Sequence, residues 1–391
     1  MKQLNYFLSL LLVIIVFSSC ERDAPPDYQV FYYPPDDLKV LEKHLDIPFQ
    51  GTYDYDVTLP QHLRGFGVAA NFVANHDRAT LGRVLFYDKD LSRDRTISCA
   101  SCHLQEKAFA DNEVKSPGIE GRKAQRNSQA LGAIVNFAAY YGVNRFGSNA
   151  IQFFWDERAA TVMDQCKETF ANENEMGMTM SQVVSRVKEK EFYPVLFKKA
   201  FSNGKISEDN VLDALAEFIN SMGTFNSKYD QVRAQENKPM NQPFSGFTAM
   251  ENLGKELYVN NCASCHGVDF SRPTVLMAHN GLPIMDNDRG KGNVTGMASD
   301  EGVFKVPTLR NIALTHPYMH DGRFATLEDV IDHYSFGIEN HANLSSNLKD
   351  GNQPKRFNFS DEEKGALVAF FETLTDESFI SDKKYSDPFI N

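Results

Sequence analysis

The five residues Cys-Ala-Ser-Cys-His occur twice in this chain, at 99–103 and again 163 positions later at 262–266. Two cysteines separated by two residues and followed by histidine are the attachment signature of a c-type haem, in which both thiols bond to the haem and the histidine ligates iron. A disulfide or half of a zinc site is the alternative, but zinc needs a second ligand pair close by, and neither copy has one. The repeated motif therefore predicts two covalent haems, one on Cys99, Cys102 and His103 and the other on Cys262, Cys265 and His266.

The sequence before each motif is repeated as well. The stretches "LGRVLFYDKDLSRDRTISCASCH" and "LGKELYVNNCASCH" share Leu-Gly, then Leu-aromatic, then the haem motif. Apolar residues at helical spacing precede both motifs, and a second apolar helical stripe closes each half at 211–222 and 367–374. Capping boxes, Thr248 with Glu251 and Ser360 with Glu363, mark two helix starts. We therefore predict an all-α fold of two cytochrome c-like domains, each with one covalently bound c-type haem.

The 391 residues are enough for two domains of ordinary size. The polar, proline-bearing stretch 234–246 is the expected seam, which gives a first domain over 76–235 and a second over 236–391. Residues 1–20 read as a signal peptide, because the apolar run is too short to cross a membrane. Residues 21–75, rich in proline and charge at their start, are expected to form a tether and N-terminal extension.

The signal peptide ends in "FSSC", which resembles a bacterial lipoprotein signal with Cys20 as the site of lipid attachment. We therefore expect a periplasm-facing protein, lipid-anchored to a bacterial membrane, that contacts the membrane only through its lipid. Ordinary secretion, with Cys20 discarded, is the alternative. Of six cysteines, Cys20 and the four haem thiols leave Cys166, which predicts a small buried residue and no disulfide framework.

The net charge of −12 argues against nucleic acid or an anionic surface as a partner. An acidic face suits a basic electron-transfer protein, although the charge is equally consistent with solubility alone.

Beyond the haem motifs, the sequence resembles the bacterial di-haem cytochrome c peroxidase family, which also contains MauG. The resemblance covers residues 78–376 and is carried by "LSRDRTISCASCH", "FFWDERAATVMDQ", "NENEMG", "KVPTLRNIALTHPYMHDGRFATLEDVIDHY" and "LVAFFETLTD". It implies a peroxidatic haem in the N-terminal domain, an electron-transfer haem in the C-terminal domain and a calcium ion between them. His103 and His266 would be the proximal ligands.

The resemblance also assigns catalytic residues. Glu175 in "NENEMG" matches the family's acid–base glutamate, which moves a proton between the two peroxide oxygens. Gln165 matches the pocket glutamine, and Trp155, the single tryptophan of the chain, matches the ring between the haems. Simple packing is the alternative role for Trp155. Thr169 stands where relatives usually have proline, which leaves the shape of the pocket open.

Two further positions depart from the better-known peroxidases. Ile119 stands where many relatives have a histidine that caps the resting first iron, so we expect that iron to be open without reductive activation. Tyr334 stands at the position of the second haem's methionine ligand, and MauG also has tyrosine there. A tyrosinate favours oxidised iron, whereas methionine raises the potential. The alternative is that Tyr334 only packs against the haem, with His333 or a mobile methionine as ligand.

For the calcium ion, the family uses an asparagine side chain and two backbone carbonyls. The matching residues here are Asn127, Thr315 and Pro317, and oxygen ligands suit this hard cation.

We therefore predict an enzyme, a cytochrome-c peroxidase-like oxidoreductase that reduces hydrogen peroxide to water with electrons from a small donor protein such as a monohaem cytochrome c. Ile119 and Tyr334 favour an alternative, MauG-like oxidation of a partner protein's side chain through a stored ferryl state. A non-enzymatic di-haem electron carrier is the third possibility, and Glu175 beside an open first haem argues against it.

Overall fold

Two pairs of closely packed helices form the framework, one pair in each half of the chain. In the computed structural model, α2 (His76–Tyr87) packs on α7 (Glu208–Asn220) in the first half, and α9 (Ala249–Asn261) packs on α13 (Asp361–Glu372) in the second. The glycine of each repeated Leu-Gly lies at the crossing. A Cβ added to Gly82 would lie 1.9 Å from the carbonyl oxygen of Ala214, and one added to Gly254 would lie 1.8 Å from that of Ala366. Only glycine permits this approach, which explains why both repeats have it.

The structure describes residues 32–63, 71–132, 152–268, 270 and 273–390. The predicted signal peptide, Cys20 and most of the predicted tether lie outside these residues. Among the described residues, no helix combines the length and hydrophobicity that a membrane crossing requires.

The described part of the chain is mostly helical, as predicted. Its helices are α1 Pro35–Leu41, α2 His76–Tyr87, α3 Cys99–Cys102, α4 Val162–Ala171, α5 Met180–Glu189, α6 Tyr193–Ala200, α7 Glu208–Asn220, α8 Lys228–Glu236, α9 Ala249–Asn261, α10 Ala263–His266, α11 Gly292–Thr295, α12 Leu327–Asp332 and α13 Asp361–Glu372. Its strands form three antiparallel pairs of two residues each: β1 Val57–Thr58 with β2 Asn71–Phe72, β3 Met277–Ala278 with β4 Phe304–Lys305, and β5 Lys349–Asp350 with β6 Gln353–Pro354.

Both predicted capping boxes are confirmed. Thr248 accepts from the amide of Glu251 at the start of α9, and Ser360 accepts from the amide of Glu363 at the start of α13. The predicted apolar stripes of the closing helices face inward: Val211, Leu212, Leu215, Phe218, Ile219, Met222, Leu367, Phe370, Phe371 and Leu374 are all buried.

The buried apolar residues form two main clusters, one around α2 and α7 and one around α9 and α13. Tyr229 and Val232 of α8 belong to the second cluster. The first cluster also contains residues from both ends of the chain, among them Leu41, Leu45, Phe379 and Tyr385. The two ends therefore help to build the first domain. The domain boundary near residue 235 stays a prediction.

Candidate di-haem active site

Both haem motifs open onto one cavity of about 410 Å³. Cys99, Cys102 and His103 line one part of it, and the second motif lines another. The remaining predicted residues also line this cavity: Glu175, Gln165, Trp155, Tyr334, Asn127, Thr315 and Pro317. The fold thus brings every predicted haem, catalytic and calcium residue to a single space.

The first motif is held by short-range hydrogen bonds. A capping box between Ser98 and Ser101 starts α3, and His103 follows as its C-terminal cap. His103 Nδ1 lies 2.7 Å from the carbonyl oxygen of Phe109, which can only accept, so Nδ1 carries the proton. Nε2 is then free to ligate iron, and burial lowers the pKa of His103, which keeps the ring neutral.

The second motif has the same arrangement. Cys262 caps the end of α9, and α10 carries the rest of the motif. His266 Nδ1 lies 3.1 Å from the carbonyl oxygen of Pro307, and burial again lowers the pKa of the histidine. Both imidazoles therefore present Nε2 to the cavity in the tautomer that a haem ligand requires.

Glu175 lies in the turn that follows α4. The amide Nδ2 of Asn172 donates to Glu175 Oε1 at 2.7 Å, which fixes one carboxylate oxygen. Burial raises the pKa of Glu175, whereas the positive charge of Arg158 and a hydrogen bond from Thr169 oppose the rise. A carboxyl group whose pKa is raised in a cavity is suited to both accept and return a proton.

The cavity-facing side of α4 carries Gln165, Cys166 and Thr169. Thr169 is a hydrogen-bond partner of Glu175, a contact that the sequence did not reveal. Cys166, predicted to be a small buried residue, is instead half-buried and lines the cavity. Burial among apolar neighbours raises the pKa of its thiol, so it is uncharged.

Ile119 is fully buried beside the Glu175 turn. Its amide donates to the carbonyl oxygen of Glu175 at 3.2 Å. A Cβ on Gly177 would lie 2.4 Å from Ile119 Cδ1, so the isoleucine packs directly against that turn. Ile119 therefore packs under the Glu175 turn and does not line the cavity, and its side chain offers no ligand atom.

Trp155 makes hydrogen bonds to both halves of the chain. Its indole Nε1 donates to the carbonyl oxygen of Asn127 at 2.9 Å. Its own carbonyl oxygen accepts from the amide of Lys305, in β4, at 2.8 Å. Asn127 belongs to the first half of the chain and Lys305 to the second, so the indole is held at their junction.

Tyr334 lies in a π-helical turn, His333–Gly337, that continues α12. Val330, Ile331 and Tyr334 all line the cavity. The side chain of Thr326 caps the start of α12 by accepting from the amide of Asp329. Such wide turns are frequent at functional sites.

Asn280 is hydrogen-bonded to all three candidate ligands of the second haem, which are His333, Tyr334 and Met319. His333 is buried with its Nε2 3.0 Å from the carbonyl oxygen of Asn280, which commits that nitrogen to a hydrogen bond. The side chain of Asn280 bonds to Tyr334 and donates to Met319 Sδ at 3.4 Å. Tyr334 and Met319 line the cavity and are the candidate ligands there. Sequence reasoning missed Asn280, because no pattern links it to residues so distant along the chain.

The predicted calcium residues lie where the two halves meet. Asn127 Nδ2 donates to the carbonyl oxygen of Glu113 at 2.8 Å, which leaves Oδ1 as the amide atom available for a cation. Asn112 Nδ2 donates to the carbonyl oxygens of Leu314 and His316, at 3.0 and 2.6 Å, and so positions the loop that contains Thr315 and Pro317.

The donor set fits two c-type haems. None of the five cysteines in the described ranges forms a disulfide, and both thiol pairs face a cavity next to a neutral imidazole whose Nε2 is unprotonated. A structural zinc site would need four converging ligands, which neither motif has among its described neighbours.

Two helical haem domains with a carboxyl group in the cavity that both haem motifs line define a di-haem c-type cytochrome of the peroxidase class. The chain belongs to the di-haem cytochrome c peroxidase family. The profile for di-haem cytochrome c peroxidase matches residues 76–238, and the profile for cytochrome c matches 251–375. The protein is thus an oxidoreductase with two c-type haems, and the all-α, two-domain expectation is confirmed.

Relatives named as peroxidases and relatives named MauG both support the family assignment. The cytochrome c551 peroxidase of Nitrosomonas europaea is 30% identical over 309 residues, which cover 77% of this chain and 80% of the relative. The methylamine utilization protein MauG of Methylorubrum extorquens is 31% identical over 309 residues, covering 77% of this chain and 79% of MauG.

Solved structures agree. A MauG-like protein associated with microbial copper homeostasis superposes with a TM-score of 0.68 at 32% identity, covering 81% of this chain and 94% of that protein. The di-haem peroxidase BthA of Burkholderia thailandensis, at 22% identity and a TM-score of 0.63, covers 81% of this chain and 91% of its own and supports the fold.

Proposed function

We propose that this di-haem peroxidase reduces hydrogen peroxide at the haem held by Cys99, Cys102 and His103. The observation that carries the proposal is Glu175, a half-buried carboxyl group with a raised pKa in the cavity that contains His103. The bound haem supplies an iron centre that accepts peroxide and gives up electrons. The overall reaction consumes one peroxide, two protons and two electrons and yields two waters.

Side chains of the protein move the proton between the two peroxide oxygens. Glu175, ionised, takes a proton from the peroxide oxygen nearer the iron and returns it to the departing oxygen, which leaves as water. Asn172 and Thr169 hold the carboxylate, and Gln165 offers an amide at the same cavity wall. Ile119, which packs behind the Glu175 turn, has no atom that could ligate the first iron.

We propose that Cys262, Cys265 and His266 would hold the second haem, and that Tyr334 would be a further ligand of its iron. Two observations support Tyr334 over His333: it lines the cavity, and the His333 nitrogen is committed to Asn280. Electrons enter there from a small redox protein and reach the first haem through Trp155.

Trp155→Phe is expected to leave peroxide binding intact and to slow oxidation of the second haem. Phenylalanine fills much of the space but is far harder to oxidise, and it loses the hydrogen bond to Asn127. Rapid-mixing optical spectra resolve the two haems and measure the rate between them. Inter-haem transfer at the wild-type rate, in protein that mass spectrometry shows to contain both haems, would exclude the relay.

We propose that calcium binds Asn127 Oδ1 and the carbonyl oxygens of Thr315 and Pro317. Asn127→Ala is expected to weaken calcium binding by about tenfold or more, the scale seen when a metal site loses a supporting group. Calorimetric titration of chelator-treated protein measures this. Asn203→Ala, an exposed asparagine on another surface, is the control. Equal affinities in the two variants would remove Asn127 from the site.

A second candidate function is oxidation of a partner protein's side chain. Ile119 and Tyr334 favour it, because an open first iron and an anionic ligand at the second suit the storage of oxidising equivalents. In this case the partner, rather than a donor cytochrome, supplies the two electrons.

We further propose that Cys20 carries a lipid that anchors the protein, facing the periplasm, to a bacterial membrane. The "FSSC" sequence supports this. Mass spectrometry of the membrane-extracted protein tests it, since an unmodified chain that begins after residue 20 would contradict it.

The decisive experiment for the enzyme is an optical spectrum of the ferric protein before and after one equivalent of peroxide. A non-enzymatic carrier would show two low-spin haems and no reaction. A high-spin first haem that reacts supports the proposal, and the choice between donor cytochrome and protein substrate follows from which one restores the ferric spectrum.

A further inference from the structure

The two ends of the chain are hydrogen-bonded to each other, and the C-terminal end packs on the loop that follows His103. The residues that match the family profiles stop at 375 and begin at 76, so the C-terminal tail 376–390 and the N-terminal extension 32–63 lie outside them. The tail leaves the second domain and enters the core of the first, where Phe379 and Tyr385 are buried. Its path crosses the loop that follows His103.

That loop is held in an unfavourable backbone conformation. Ala108 and Phe109 are consecutive non-glycine residues with positive φ, at 50° and 60°, and both are fully buried. Such conformations persist only where the surroundings hold them in place. The loop matters because the Phe109 carbonyl oxygen is the acceptor for His103 Nδ1, at 2.7 Å.

The tail supplies the restraint on this loop. The ring of Phe109 lies 5.3 Å from that of Phe379 and 6.3 Å from that of Tyr385, measured between centroids. Gln105, at the start of the loop, donates its amide hydrogens to the carbonyl oxygens of Phe379 and Asp382, at 3.3 and 2.8 Å. The tail therefore contacts the loop at two places, at Gln105 near its start and at Phe109, whose φ is positive.

The N-terminal extension in turn fixes the tail. The amide of Asp46 donates to the carbonyl oxygen of Pro388 at 2.7 Å, and the amide of Ile390 donates to that of His44 at 3.0 Å. The Asp46 carboxylate also pairs with Lys383 at 2.9 Å, an exposed contact that adds little. We name the tail 376–390 with residues 44–46 the terminal clamp.

We propose that the terminal clamp positions the proximal ligand of the first haem, with Gln105 and Phe379 as its positioning residues. By fixing the Phe109 carbonyl, the clamp holds the hydrogen bond that orients His103 and makes its imidazole a stronger donor. A stronger proximal donor stabilises ferric iron and lowers the reduction potential of the first haem. The second haem, whose His266 bonds to Pro307, has no part in this and is an internal reference.

The inference rests on the proposed role of His103 as the first iron's ligand. His103→Met tests that role separately: an unchanged ferric spectrum of the first haem would refute the ligand assignment itself. The clamp is then tested in protein that keeps His103.

Gln105→Leu keeps the side-chain volume and removes both donors to the tail. Spectroelectrochemical titration is expected to show the first haem's ferric–ferrous equilibrium shifted about tenfold toward the reduced form, or about 59 mV for one electron, with the second haem unchanged. Phe379→Leu is expected to act in the same direction. Ser381→Ala is the matched control and is expected to behave as wild type, because Ser381 is exposed and its hydroxyl donates to the carbonyl oxygen of Glu377 within the tail.

Two outcomes would overturn the proposal. One is a wild-type potential and ferric spectrum of the first haem in Gln105→Leu. The other is an equal shift of both haems, which would indicate general loosening rather than positioning of His103. Because Gln105→Leu leaves the aromatic core intact, the test stands even where Phe379→Leu fails to fold.

Discussion

Glu175→Gln is expected to retain both haems and to slow the reaction with peroxide by about a hundredfold or more, the scale of a lost acid–base group. Glutamine has nearly the same shape and still accepts the hydrogen bond from Asn172. It cannot take up a proton at physiological pH, so only the proton transfer is removed. Stopped-flow mixing of ferric protein with peroxide measures the rate.

The matched control is Glu173→Gln, two residues earlier in the same "NENEMG" segment. The Glu173 carboxylate is 62% exposed and pairs with Arg93 and Arg122 at the surface. The control is expected to react at the wild-type rate, because its charge is remote from the cavity and screened by water. A Glu175→Gln rate within a factor of two of this control would remove Glu175 from the mechanism.

The pH dependence provides a second readout of Glu175. The reaction needs the ionised carboxylate and slows as the pH falls through its pKa. Burial raises that pKa and Glu168 adds to the rise, whereas Arg158, Thr169 and Asn172 oppose it. The acidic loss of rate is therefore expected at a higher pH than for an exposed glutamate, and Glu175→Gln is expected to abolish this limb of the profile.

The sequence predicted local features well because they depend on neighbours in the chain. The haem motifs, the capping box of Thr248 with Glu251 and the apolar stripe of α7 each lie within a few turns of helix. The repeated Leu-Gly indicated a duplication, but its physical reason is a contact across two helices, between Gly82 and Ala214. Such a contact leaves no periodic pattern that a single sequence displays.

Features that depend on distant segments were not predictable in this way. The π-helical turn that carries Tyr334 is supported from outside the helix, where Ser335 Oγ accepts from the amide of Phe359. Gln105 and Phe379, which meet in the terminal clamp, are 274 residues apart. Neither feature follows from propensity or spacing, because each is decided by where the remainder of the chain packs.

The fully oxidised protein is expected to react with peroxide at once, without prior reduction. The family resemblance implies that a histidine at position 119 would cap the first iron until the second haem is reduced. Here that position is Ile119, whose side chain is buried against Gly177 and offers no ligand atom. The test is to mix fully ferric protein with one equivalent of peroxide and follow the haem bands in time.

The outcome separates two states of the first iron. Immediate change in both haems supports an open site and two oxidising equivalents shared between them. No change until one electron per molecule is added would mean that another residue caps the iron. Met176, buried and lining the cavity beside Glu175, is the candidate in that case, and Met176→Leu would then restore the immediate reaction.

Tyr334→Met is the companion change at the second haem, and it is expected to convert the protein toward an electron-fed peroxidase. Replacing a tyrosinate by a thioether removes the anion that stabilises oxidised iron, so the second haem's potential rises and a donor cytochrome reduces it readily. Spectroelectrochemistry measures the potential, and steady-state turnover with a reduced monohaem cytochrome c measures the gain. Met319→Leu is the control, because Met319 also lines the cavity and bonds to Asn280.

If Met319→Leu shifts the second haem's potential and Tyr334→Met does not, the ligand is the methionine. The second haem is then of high potential, and storage of oxidising equivalents for a protein substrate loses its support.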